Sequence, residues 1–185
     1  MTQLIHDIVA RIKPYDVTEA AHQKDVLNWI TSGAQIFRIA KPDNPPKHLV
    51  SYFVLYDESA GKLMLIDHVT SGLLLPAGGH IEQDEDPKIT VIREADEELK
   101  IEADFNTLFG DAPLFVTVTT TVGQGQHVDV SLWYIIAGNS NQKLQCDPRE
   151  MSGYQWLTPD EVLAIDIKKL DPNVHRFVEK MKGNR

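Results

Sequence analysis

The apolar positions of this chain change period several times, and each change marks an element. Leu4, Ile5, Ile8, Val9 and Ile12 recur at helical spacing and predict a short amphipathic helix over residues 3–13, ended by Pro14. Asp16 followed by Glu19 reads as a capping box, so a second helix runs through Ala20, Val26, Leu27 and Ile30 until Gly33 closes it. Lys41-Pro42-Asp43-Asn44-Pro45-Pro46 cannot form regular structure and marks a boundary. Leu49 to Leu55 then read as a strand, Asp57 to Gly61 as a turn, and Lys62 to His68 as the return strand of a hairpin. Leu73-Leu74-Leu75 is a short buried strand leading into Pro76-Ala77-Gly78-Gly79, read as a glycine loop.

From Pro87 to Leu99 nothing breaks a helix. Asp86 is a good N-cap, and Pro87 suits the first helical position, where its missing N–H would be unpaired anyway. Glu94, Glu97 and Glu98 then share one face. Ile89, Ile92, Ala95 and Leu99 are expected to point the other way and pack on a sheet. Like charges at such spacings repel, so something cationic belongs on the acidic face. Arg93, four residues before Glu97, can hold that carboxylate, and a hard divalent cation can neutralise the rest.

Beyond the helix, Pro113 opens a strand with Phe115, Thr117, Thr119 and Thr121 on one face and Val116, Val118 and Val122 on the other. Gly123-Gln124-Gly125 has the permissive residues of a hairpin loop. Val128, Val130, Leu132, Tyr134 and Ile136 next alternate with Asp129, Ser131, Trp133 and Ile135, and a last helix covers residues 172–182. Several strands separated by one long helix make an α+β protein, a mixed sheet layered between helices. An N-terminal helical extension, residues 1–40, precedes the main domain, residues 47–185. The extension can be a lid, a homodimer contact or a cover on one sheet face, and the cover is the default reading, with Trp29 in the core.

With 185 residues there is enough chain for a sizeable core. A net charge of −9 without a basic stripe argues against a nucleic-acid polymer or an anionic membrane as partner. No apolar run approaches a membrane span, and the interrupted N-terminal pattern lacks the continuous apolar segment of a signal peptide. The single cysteine, Cys146, allows no internal disulfide and suits a reducing compartment, so the expected location is the cytoplasm. Oxygen donors without a nearby cysteine favour Mg²⁺ or Mn²⁺ over zinc. The histidines, His68 and His80 included, show no ligand spacing, and none is assigned to metal.

Gly79, five residues, Glu85, seven residues, then Arg93-Glu94-Ala95-Asp96-Glu97-Glu98 closely resembles the Nudix box of the Nudix hydrolases. Fixed residue types at fixed offsets over that length rarely coincide by chance. The resemblance implies an αβα sandwich, with Glu94, Glu97 and Glu98 as metal-binding carboxylates and Gly79 as the residue whose backbone approaches the metal. It makes Glu85 and Arg93 the supports of loop and helix. Two positions depart from the box: Ala95 replaces a bulky aliphatic residue, and Lys100 stands where the family closes its helix with glycine. A left-handed Lys100 costs roughly 1 kcal/mol but removes no ligand. Trp156 and Leu157 resemble the pair that commonly precedes the last Nudix helix.

The implied reaction is metal-dependent hydrolysis of a phosphoanhydride in a nucleoside diphosphate linked to another moiety, a small-molecule nucleotide substrate. The base that activates water is Glu97, Glu98 or a late-loop acid, Glu150 before Asp147, and the sequence leaves this choice open. His127 and Asp129, on one side of their strand, are loop chemistry or, alternatively, a contact to substrate or a second ion. Subfamilies acting on ADP-ribose carry a proline where this chain has Thr117, and those acting on dinucleoside polyphosphates carry a tyrosine where it has threonines, so no subfamily is selected. Two other readings remain: an isopentenyl-diphosphate isomerase, for which Cys146 is badly placed, and a nucleotide sensor without catalysis, which has no need of three mutually repelling acids.

Overall fold

The computed structural model describes residues 1–41, 43–105, 108–121 and 126–184. The expected Gly123-Gln124-Gly125 hairpin loop, Val122 beside it, and Pro42 of the boundary segment lie outside the described residues.

Two helices come first, α1 (Thr2–Arg11) and α2 (Val17–Thr31). Asp16 caps α2 by accepting from the Glu19 amide at 2.7 Å, while the Glu19 carboxylate accepts from the Tyr15 amide at 2.6 Å. The strands follow as β1 (Lys47–Asp57), β2 (Lys62–His68), β3 (Leu74–Leu75) and β4 (Ala77–His80), then helix α3 (Pro87–Leu99). After it come β5 (Phe115–Thr120), β6 (Val128–Ala137), β7 (Met151–Leu157), α4 (Pro159–Ala164) and α5 (Val174–Gly183). The strands form one sheet in the order β3-β2-β1-β6-β5, with β4 paired to β1 and β7 to β2. β1 and β6 run parallel while the other pairs are antiparallel, so the sheet is mixed and the class is α+β as expected.

Two strands depart from the sequence reading. Ala77-Gly78-Gly79-His80, expected as loop, is a strand in register with Val50 to Phe53 of β1. Residues 151–157, of which the sequence reading singled out only Trp156 and Leu157, pair along β2 as β7. Both are short segments that gain their ladder from a partner distant in sequence, which local alternation does not reveal.

Alternation sorts the sheet's side chains into two cores. Leu49, Phe53 and Leu55 of β1 with Val130, Leu132, Tyr134 and Ile136 of β6 face α1, α2 and α3. Trp133 and Ile135 with Val54 and Tyr56 face α4 and α5. The expected apolar face of α3 needs correction: Ile89 and Ile92 are exposed, whereas Val91, Ala95, Leu99 and also Thr90 and Glu98 are buried. The acidic face borders the core face instead of opposing it.

The N-terminal helices share the main core through Ile5, Val9, Val26 and Ile30, while Trp29 is only partly buried, with Lys47 Nζ 4.9 Å above its ring. At the β5 edge the fully buried Glu19 accepts from Lys180 Nζ at 2.7 Å and from the Val116 amide at 3.3 Å, tying α2 to α5 and the sheet. Arg176 adds a fork onto Asp16 at 2.6 and 2.8 Å. Lys180→Met should therefore destabilise the chain by about 3–5 kcal/mol in urea unfolding, because it strands a buried carboxylate. Glu19→Gln combined with Lys180→Met should recover most of that loss. A single-variant effect below about 1 kcal/mol would show that the pair does not fasten the extension.

Candidate active site

Helix α3 starts as the sequence predicts: Asp86 accepts from the Lys88 amide at 2.9 Å, and Pro87 fills the first turn. It ends at Lys100 in the left-handed conformation, φ 54° and ψ 47°, where the amides of Lys100 and Ile101 reach the carbonyls of Asp96 and Ala95. Lysine adopts here the geometry that the glycine would. The last helical carbonyls are then taken by a later loop: Glu98 O accepts from the Asp147 amide at 2.9 Å and Leu99 O from the Gln145 amide at 3.3 Å. That capping brings Asp147, Arg149 and Glu150 beside the acidic face, and all three line one hollow with Glu94, Glu97, Glu98 and Lys100.

Arg93 fastens the helix to what precedes it. Its Nε and Nη2 donate to the two Glu85 oxygens at 3.1 Å each, Nη2 also to His80 O at 3.1 Å, and Nη1 to Glu94 Oε1 at 2.6 Å. Glu97, the expected partner, is only 3.5 Å from Nη1 and half exposed, so the tight bond belongs to Glu94. Glu85 in turn accepts from Thr90 Oγ1 at 2.7 Å and the Glu82 amide at 3.1 Å. Each of these bonds carries a full charge on at least one partner, which makes the loop-to-helix joint rigid.

The two glycines let β4 lie against this joint. A Cβ on Gly79 would overlap the Glu94 carboxylate, and one on Gly78, at φ +140°, would overlap Ser51 O of β1. The Gly78 amide donates to Glu98 Oε2 at 3.1 Å. Glu98 is nonetheless in deficit of positive charge. Burial, then the neighbouring Glu94, Glu150 and Asp147, push its carboxyl up to about 8. Glu94 is also raised, by burial first, although Arg93 opposes the shift. Asp147 goes the other way, to about 2, because Arg149 donates from Nε to Oδ1 and from Nη2 to Oδ2. Asp147 is thereby a poorer proton acceptor than Glu98.

These residues line part of a cleft of about 1130 Å³ that also takes in Arg38, Tyr52, the 119–121 threonines, His127 and Asp129. Its volume suits a nucleotide-sized ligand. His127 and Asp129, paired in the sequence reading, do meet: His127 Nε2 lies 3.1 Å from Asp129 Oδ1. What that reading missed is that His48 and His80 join them. His48 and His127 stack with ring centroids 5.0 Å apart, and His80 sits 4.8 Å from His48. Burial lowers His48 and holds His80 down to about 3, while burial raises Asp129 to about 6. Cys146 lies outside the residues lining the cleft, and burial raises its thiol, so it offers no ready thiolate.

A carboxyl raised in the fold binds its proton more tightly there than in the unfolded chain, so rising pH removes stability through the interval between the two pKa values. For Glu98 that interval ends near 8, above the window of Asp129 and Asp171, both about 6. Melting temperature in chelator should therefore fall between pH 6 and about 8. Glu98→Gln should flatten the fall, and an unchanged slope in that variant would remove Glu98 as its source.

The family model for the NUDIX domain matches residues 46–181. No curated protein sequence matches at a significant level. Among solved structures, a NUDIX-family hydrolase from Clostridium perfringens superposes with TM-score 0.57 at 18% identity, covering 75% of this chain and 98% of that one. The dihydroneopterin triphosphate pyrophosphohydrolase of E. coli gives 0.58 at 12% identity, with 82% and 100% covered. A C. elegans Ap4A hydrolase, solved as a binary complex, gives 0.56 at 17%, with 73% and 95% covered. At these identities the structures attest the fold, and no helix of the described residues is long and apolar enough to cross a membrane. The family match over most of the chain attests more: this chain belongs to the Nudix hydrolase family, with pyrophosphohydrolase as its enzyme class.

Proposed function

We propose that the chain hydrolyses a phosphoanhydride bond in a nucleoside diphosphate linked to another moiety, using Mg²⁺ or Mn²⁺. The observation that carries this reading is the cation deficit at Glu98, a buried carboxylate beside Glu94 whose one hydrogen-bond donor among the described residues is the Gly78 amide. Oxygen donors gathered under an open cleft fit a hard dication, and imidazole or thiolate donors are not part of that cluster. Glu94, Glu97 and Glu98 would hold the ion, with the Gly79 backbone close beside Glu94. When bound, it would neutralise phosphate oxygens and lower the pKa of a coordinated water.

The chain's own residues supply the rest. Arg93 keeps Glu94 in one position and leaves Glu97 free to face solvent. Glu150, exposed at the rim, or Glu98, once its proton is displaced, takes the proton from water. Glu97 is the third candidate. Arg38 and the 119–121 threonines, farther along the cleft, can donate to substrate oxygens, and His127 with Asp129 lies on that same wall. Residues 47–185 form the catalytic unit in this reading, and residues 1–40 cover its sheet.

A panel of nucleoside di- and triphosphates and nucleotide sugars, incubated with Mg²⁺ or Mn²⁺ and then with chelator, tests the proposal. Metal-dependent release of a nucleoside monophosphate or of pyrophosphate is expected, and the product identifies the bond cut. Glu97→Gln and Glu98→Gln should each lower kcat by about 10²–10⁴ with the melting transition retained. Turnover that survives chelator, or both variants, would refute it.

A further inference from the structure

The three histidines come from sequence positions far apart, and the sheet aligns them. His48 is the register partner of Asp129 across the parallel β1–β6 pair, and His80 pairs with Val50 on β1's other side, so His48, His80 and Asp129 project from one face. His127 precedes β6 at the same end. One ligand atom from each of Asp43, His48, His80 and His127 falls within 4.8 Å of all the others.

The hydrogen bonds decide what these atoms offer. His48 Nδ1 lies 2.7 Å from Pro45 O, and a carbonyl only accepts, so the neutral ring carries its proton on Nδ1 and points a lone pair from Nε2. That nitrogen is buried in a wholly buried residue and has no hydrogen bond among the described residues. Facing it at 3.5 Å is Asp129 Oδ1, a buried carboxylate oxygen that can only accept. Two acceptors therefore confront each other across a gap that a cation would fill. His127 turns Nε2 toward the same Asp129 oxygen at 3.1 Å, while its Nδ1 lies 3.4 Å from Asp43 Oδ1 and 3.2 Å from Thr121 Oγ1. An imidazole with one nitrogen tied to a carboxylate or carbonyl and the other aimed at a common point is the arrangement that orients metal-binding histidines.

We propose that His48, His80 and His127, with a carboxylate oxygen from the Asp43–Asp129 pair that brackets His127, bind one imidazole-preferring divalent ion, zinc, at a site separate from the α3 carboxylates. Zinc–ligand bonds of about 2.0–2.1 Å place tetrahedral donors about 3.3 Å apart. The separations of 3.1 and 3.5 Å around Asp129 Oδ1 bracket that edge. Nitrogen donors in this number select zinc over Mg²⁺, so the two sites discriminate between the two ions by donor type. Arg38 Nη1 approaches His80 Nε2 to 3.4 Å; zinc takes that nitrogen by displacing a partly exposed guanidinium. The ion would clamp the segment before β1 onto β4 and β6, along the wall of the cleft.

The test uses chelator-treated full-length protein in excess Mg²⁺, titrated calorimetrically with zinc alone, with Co²⁺ as a visible-absorption reporter. One zinc per chain at micromolar or tighter Kd is expected, with Co²⁺ ligand-field bands. His127→Gln should weaken zinc at least about tenfold and abolish the bands, while Glu97→Gln leaves both in place. His48→Gln should act likewise, and if that buried variant does not fold, His127→Gln decides. Absence of zinc binding, or binding lost with Glu97→Gln and kept with His127→Gln, overturns the proposal. Because the readout is metal occupancy, it stands or falls independently of nucleotide turnover.

Discussion

The structure depends on how the negative charge of α3 is held. Arg93 binds Glu85, the His80 carbonyl and Glu94 together, so one guanidinium joins loop, strand and helix. A joint of charge-assisted bonds of this kind is rigid, but a single cation cannot balance the acids that converge there. Glu98 is left beside Glu94 with an amide as donor, and its proton affinity rises accordingly. Positive charge from outside the chain is what such an arrangement favours.

That constraint explains features that are otherwise costly. Glu98 occupies a buried helix position between Ala95 and Leu99 on one side and β4 on the other, where an apolar side chain would pack better. Turning the helix so that Glu94 and Glu98 reach the glycine strand leaves Ile89 and Ile92 in solvent. Gly79 carries no side chain because the Glu94 carboxylate occupies its place. Local rules of packing are broken where the chemistry sits, and the mixed sheet with its two separate cores supplies the stability that tolerates this.

The same sheet places a second polar group within the cleft. The parallel pairing of β1 and β6 sets His48 against Asp129 in a wholly buried position, an arrangement that is unfavourable for neutral imidazole and carboxylate alone. Oxygen donors on the helix and nitrogen donors on the sheet thus line one cavity with two distinct ligand chemistries.

Much of this was determined by the sequence alone, where causes are local. Helix periodicity, the Asp86 cap with Pro87, the alternation of β5 and β6 and the spacing of Glu85, Arg93, Glu94, Glu97 and Glu98 all act within a few turns or a few residues, so the fold class, the family and the acidic helix are legible there. Tertiary structure decided the rest. Which side of α3 meets the sheet, that Arg93 grips Glu94 more tightly than Glu97, that Gly78 and Gly79 form a strand, and that β7 exists at all depend on partners dozens of residues away. The histidine cluster is the clearest case. His48, His80 and His127 have no spacing to read, because strand register, a property of two chains of backbone hydrogen bonds, is what brings them together.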